Sequence, residues 1–260
     1  DPLWSRGLGD VYKRQVNISG HMSKIGLIVM SSLMLNTSFA GVVLTGTRVI
    51  LADGQNEKTI HLQNVDSVPA LVQIWLDDGD ENSTLETSKA PFVVSPQIFR
   101  MEPNVGQTVR VRFTGADQVA QDKESLYYLN FVQYPASKKQ EMDNNRLMVV
   151  FKNRIKVFYR PKNLVGNSAQ TIEKLRFKFN SQSKQLSVTN PTAYFANVQE
   201  VRLLTSQNQL VVNRNQIIAP NSTVNWAANI SEATAKAAKV KVTLVNDYGA
   251  TVIHEASLSP

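Results

Sequence analysis

Cysteine is absent from all 260 residues, so the chain has no disulfide framework, no thiolate nucleophile and no cysteine-based metal site. Histidine is scarce. His21, His61 and His254 are the only three, and none stands at i,i+4 spacing from another ligand type, which argues against zinc. There is no G-x-S-x-G nucleophile elbow, no G-x-x-x-x-G-K-[ST] phosphate loop and no G-x-G-x-x-G opening a helix. These gaps point away from an enzyme, and no cofactor is expected. Residues 77–81 (DDGDE) gather four carboxylates but lack the alternating ligand spacing of a calcium loop. They read as an exposed acidic turn after a strand, and no metal site is expected. Charge is modest at 19%, with a formal net charge of +7 and no run of five or more basic residues. Scattered Lys and Arg describe a solvated basic surface and not a nucleic-acid site. Hydrophobic residues make up 42%, which suits a globular fold with a sizeable core.

Residues 22–40 read MSKIGLIVMSSLMLNTSFA: Lys24 as a short positive region, an apolar stretch over 25–35, then Ser38, Phe39 and Ala40 as a small-x-small cleavage site. That order predicts a secretory signal peptide, and the apolar run is too short to anchor in a bilayer. Residues 1–21 precede a plausible start methionine and have no apolar periodicity, which suits a non-native leader or a mis-called start. The mature chain is expected to begin at Gly41, with 24 basic and 19 acidic residues, a net charge of +5 and no membrane insertion.

From Gly41 onward, short runs rich in Val, Ile, Tyr and Phe alternate with turn signals. Strands are predicted over 42–51, 58–64, 70–76, 109–113, 125–134 and 147–159, then over 174–179, 185–189, 193–204, 216–218, 224–227, 239–246 and 251–256. Many short strands argue for β-sandwiches rather than βαβ units. Residues 231–239, rich in Ala and Lys, form a helical turn or loop too short to stand alone. Pro161 and the following KNLVGNS read as a linker. The halves, 41–161 and 165–260, hold about 120 and 95 residues, each close to the roughly 100 of an immunoglobulin-like sandwich.

Two segments are more specific. One is VAQDKESLYYLN at 119–130 followed by QYP at 133–135; the other is RIKVFYRP at 154–161. Together they resemble the signature segments of the periplasmic pilus chaperones, the family that guards fimbrial subunits before usher-driven assembly. Other landmarks agree in order: TRV at 47–49, PQIFR at 96–100, NPT at 190–192 and NDYG at 246–249. The resemblance runs from about Gly41 to His254 and implies an all-β chain of two immunoglobulin-like β-sandwiches, joined by a short hinge in an L- or boomerang-shaped arrangement. Phe131 and Tyr134 depart from it, standing where the family is usually aliphatic. The short segment between Tyr134 and Arg154 resembles the subgroup that mostly assembles rod-like pili.

The resemblance assigns roles that periodicity alone leaves open. Leu147, Val149 and Phe151 alternate with Met148, Val150 and Lys152. Read by itself this is an ordinary core strand, since alternate side chains share a face. In the family the matching residues are exposed and enter the groove of an incomplete subunit, a form of strand addition. Three such anchors contribute ~1.5–3 kcal/mol each when fully buried, before ordering costs. Arg48 and Lys156 match the anchors for a subunit's C-terminal carboxylate. Lys156 is five residues beyond Phe151, so a regular strand puts it on the opposite face unless a bulge intervenes. Glu124, Arg160 and Asp247 match an ion network between the two domains. The implied partners are pilus subunits and an outer-membrane usher, in the periplasm, with self-capping of the free protein as a dimer left open. A secreted β-sandwich adhesin or carbohydrate-binding module is the alternative; it calls for clustered exposed aromatics, and Trp4, Trp75 and Trp226 are not grouped that way.

Overall fold

In the computed structural model, residues 41–52, 54–115, 119–136, 149–205 and 208–258 are described. The expected leader (1–21), the expected signal peptide (22–40) and Leu147 lie outside them.

Among the described residues, alternating apolar residues build the first sandwich from nine strands: β1 (Val42–Leu44), β2 (Arg48–Leu51), β3 (Glu57–Asn64), β4 (Ala70–Asp77), β5 (Phe92–Ser95), β6 (Ile98–Met101), β7 (Gly106–Phe113), β8 (Ser125–Pro135) and β9 (Phe151–Tyr159). One sheet has the order β1-β3-β7-β5 and the other β2-β9-β8-β4-β6. Ile60, Leu62, Val109 and Val111 from the first meet Val72, Ile74, Leu129, Phe131 and Val157 from the second in one core. The expected single strand over 42–51 is two. Gly46, at φ +103°, makes the turn between them, so β1 pairs with β3 in one sheet and β2 with β9 in the other. β5 and β6, short strands on either side of Pro96, were not anticipated.

The second sandwich uses β10 (Arg176–Asn180), β11 (Gln185–Asn190), β12 (Ala196–Leu204), β13 (Gln209–Ile218), β14 (Ser222–Ala227), β15 (Lys239–Val245) and β16 (Thr251–Ser257). Its sheets, β10-β11-β14 and β13-β12-β15-β16, close on Phe177, Leu186, Val188, Val201, Leu203 and Val242. The Ala-rich stretch forms a short helix at Glu232–Ala237, capped by Ser231, whose side chain accepts the Thr234 N–H. Lys174, the start of the expected 174–179 strand, instead ends another short helix, Thr171–Lys174. No helix among the described residues is long and apolar enough to cross a membrane.

Candidate functional site: an edge strand with a cationic end

β9 has two unlike halves. It pairs antiparallel with β8 along its whole length, from Phe151↔Gln133 to Tyr159↔Ser125, with no shift in register. On its other side β2 pairs with it, in parallel, only from Lys156 to Tyr159. Over 151–155 no described strand covers that side, so a row of backbone N–H and C=O groups is left at a sheet edge. Burial follows the same division. Val157, Phe158 and Tyr159 are buried, whereas Phe151 is 56% exposed and Val149, just ahead of the strand, 51%. With a period of two, Phe151 shares the face of Ile155, Val157 and Tyr159, which pack in the core. The apolar row thus runs from the core out to the rim, interrupted on that face by Asn153. The strand expected from residue 147 begins at Phe151 among the described residues.

Arg48 and Lys156 are 108 positions apart in sequence and are cross-strand partners in the β2–β9 ladder. With the β8–β9 register unbroken, Lys156 points to the face opposite Phe151, alongside Lys152 and Arg154. No bulge intervenes. Two steps on, Phe158 packs its ring 6.0 Å from Phe195 of the second sandwich, and Arg48 donates from its Nη1 to the Val245 carbonyl at 3.0 Å. The two cations therefore stand where β2 begins and the sandwiches meet.

The electrostatics of the pair are unusual. Burial pushes the Lys156 ammonium below the ordinary lysine value, and the neighbouring Arg48 cation lowers it further. No acidic side chain among the described residues pairs with Lys156. Burial also lowers Arg48, against the opposing pull of Asp247 and Glu124, and its buried Nε has no hydrogen-bond partner among the described residues. Two adjacent, partly desolvated cations with an unfilled donor form a site that an anion relieves.

Close by, Arg160 joins the sandwiches. It donates from Nε to Glu124 at 2.6 Å and from its two terminal nitrogens to Asp247 at 2.7 and 2.8 Å. Glu124 is buried and accepts the Phe195 N–H at 2.8 Å, and Ser168 donates to Asp247 at 2.8 Å. Burial raises the Glu124 carboxyl despite Arg160. Asp247 is also pushed up by burial, but hydrogen bonds from Arg160 and Ser168 and the nearby cations outweigh this and hold it below the ordinary range.

The acidic turn differs from its expected exposure. Asp77 is 1% exposed and receives two bonds from Arg154, at 2.6 and 3.2 Å, while residues 78–81 are exposed. Sequence reasoning did not include this pair. The available signal was parity: Asp77 continues the outward row of β4, after Trp75, and the ladder places Arg154 beside Asn130 and Asn130 beside Trp75. Among the described residues no group of three or more His, Cys, Asp or Glu side chains is arranged to hold a metal.

Residues 41–165 match the domain family described as pili and flagellar-assembly chaperone, PapD N-terminal domain, and residues 170–256 match pili assembly chaperone PapD, C-terminal domain. The probable fimbrial chaperone YadV of Escherichia coli (strain K12) is 33% identical over 227 residues, covering 86% of this chain and 92% of that protein. Chaperone protein HifB of Haemophilus influenzae is 36% identical over 214 residues, 81% of this chain and 85% of that one. The crystal structure of the YadV chaperone superposes with a TM-score of 0.71 at 31% identity, covering 84% of this chain and 99% of that chain.

Proposed function

The chain belongs to the pili-assembly chaperone family, and from that premise we propose that it caps pilus subunits in the periplasm by lending them an edge strand. The observation that carries this reading is the open side of β9 over 151–155, with Val149 and Phe151 exposed at its start. A subunit lacking one strand gains main-chain hydrogen bonds from that edge and apolar anchors from Leu147, Val149 and Phe151. Arg48 and Lys156 take the subunit's C-terminal carboxylate, and this fixes register, because a one-residue slip turns every anchor to the wrong face. Phe151 and Lys156 lie on opposite faces of β9, so the bound chain is gripped both along the edge and at its end. Export by residues 22–40, a hinge after Pro161 and delivery to an outer-membrane usher complete the reading.

Co-expression with a pilus subunit tests it. The intact protein is expected to hold the subunit soluble and to co-purify with it. Val149→Glu is expected to weaken that complex at least about tenfold, because a carboxylate replaces an apolar anchor in a desolvated groove. Since Val149 is exposed in the free protein, the melting temperature should not move. Undiminished capture by Val149→Glu overturns the donor-strand assignment.

The depressed Lys156 gives a pH signature. Carboxylate binding should fade as the pH rises through a value below that of an ordinary lysine, when Lys156 loses its proton. Subunit affinity measured from about pH 7 to about pH 10 checks this, and an affinity that stays flat removes Lys156 from the site.

A further inference from the structure

The half of β9 that lacks β2 is also the half with long side chains reaching across the sheet. Lys152 donates to the Glu81 carbonyl at 2.7 Å, with its ammonium 5.3 Å from the centre of the Trp75 ring. Arg154 lies 3.7 Å over the Tyr128 ring, grips Asp77 through Nε and Nη2, and reaches Glu81 from Nη1 at 3.0 Å. Both side chains cross β8 to reach the end of β4 or the turn beyond it. Asp77 is itself fixed, accepting from Asn130 Nδ2 at 2.6 Å and from the Gly79 N–H at 2.7 Å. Burial pushes its carboxyl up, but the bonds from Arg154, Asn130 and Gly79 prevail and hold it below the ordinary range. These contacts occupy the face opposite Phe151, so they leave the anchors and the open backbone edge unobstructed.

An edge strand paired on one side only frays more readily than an interior strand. We propose that Asp77 and Glu81, gripping Lys152 and Arg154, form a positioning device that holds residues 151–155 of β9 in strand geometry before any partner arrives. The inference rests on reading β9 as the donor strand. Its benefit is that less ordering remains to be done on binding. Arg154 and Lys152 are positioning residues here and make no contact with the subunit.

Hydrogen exchange on the free full-length protein tests this without any partner. In Arg154→Met, amides of 151–155 should exchange at least about tenfold faster, while those of 157–159, held by β2, keep their rates. Arg154→Met/Asp77→Asn, which removes the buried charge as well, should show the same selective loosening. Lys152→Met and Glu81→Gln replace exposed side chains that leave folding intact, and each should shift the same amides by a smaller factor. Rates in 151–155 that do not change, or that rise by one common factor across the first sandwich, overturn the proposal and leave a general stabilising ion pair. If Arg154→Met does not fold, Lys152→Met and Glu81→Gln decide in the same way. The donor-strand reading fails on a different observation, full subunit capture by Val149→Glu.

Discussion

Replacing Lys156 with alanine is expected to abolish retention of pilus subunits while leaving the protein folded. Each charge-assisted hydrogen bond to a carboxylate is worth ~1.5–3 kcal/mol, so losing one cation weakens capture by about 10- to 150-fold. Register loosens with it, because Arg48 alone then holds the carboxylate that sets which residue of the subunit meets Phe151. The variant should not melt earlier. Lys156 has no acidic partner among the described residues and suffers the charge of Arg48, so its removal relieves repulsion. Arg48→Ala should lose capture to a similar degree but also melt somewhat lower, because its bond to the Val245 carbonyl goes too. Measuring soluble subunit complex alongside thermal unfolding separates the two effects. Full capture by Lys156→Ala would refute the carboxylate site.

Arg160→Met carries the largest expected loss of stability. It strands the buried Glu124 and removes both Arg160 bonds to Asp247, leaving the one from Ser168. Breaking a buried pair from one side typically costs about 3–5 kcal/mol, a fall in melting temperature on the order of 10 °C. The pH dependence follows from the signs. Asp247 has a folded-state pKa below its unfolded value, so its contribution is present above the unfolded value and is lost as the pH falls through the folded one. Glu124 has a raised folded-state pKa, so its contribution is fullest below the unfolded value and is lost as the pH rises through the folded one. Without Arg160 both carboxyls move up, and the deficit should be large at neutral pH and shrink under mild acid as Glu124 protonates. Arg160→Met/Glu124→Gln should recover part of the loss at neutral pH. A single variant losing less than about 1 kcal/mol at neutral pH would mean that the network is solvated and not a buried tie.

Strands with clean alternation and clear flanking turns were legible. The expected 58–64, 185–189 and 251–256 lie within Glu57–Asn64, Gln185–Asn190 and Thr251–Ser257. Alternation in such runs reports burial on one face, and each run carries that information locally. Phe92–Ser95 and Ile98–Met101 were not legible. Four residues give barely two periods, and Pro96 reads as a loop. The turn at Gly46 was hidden because its flanking threonines favour strands. The motifs at 119–135 and 154–161 pointed to Glu124, Lys156 and Arg160 before any geometry, though they omitted Arg154's buried partner.

What the sequence by itself determined is the local order: all-β, two sandwich-sized halves, an alternating apolar row through Leu147, Val149 and Phe151 in a strand expected to run to Tyr159, and a basic residue at 156. The row does not say where the core ends. Only the tertiary structure makes Val157 interior and Phe151 exposed, because β2 begins at Arg48 and covers β9 from Lys156 onward. It also brings Arg48 beside Lys156 and buries Asp77 beneath Arg154. Period and turn chemistry act over a few residues, whereas strand neighbours are chosen by the packing of two whole sheets. Exposure, edge position and charge pairing belong to that second scale.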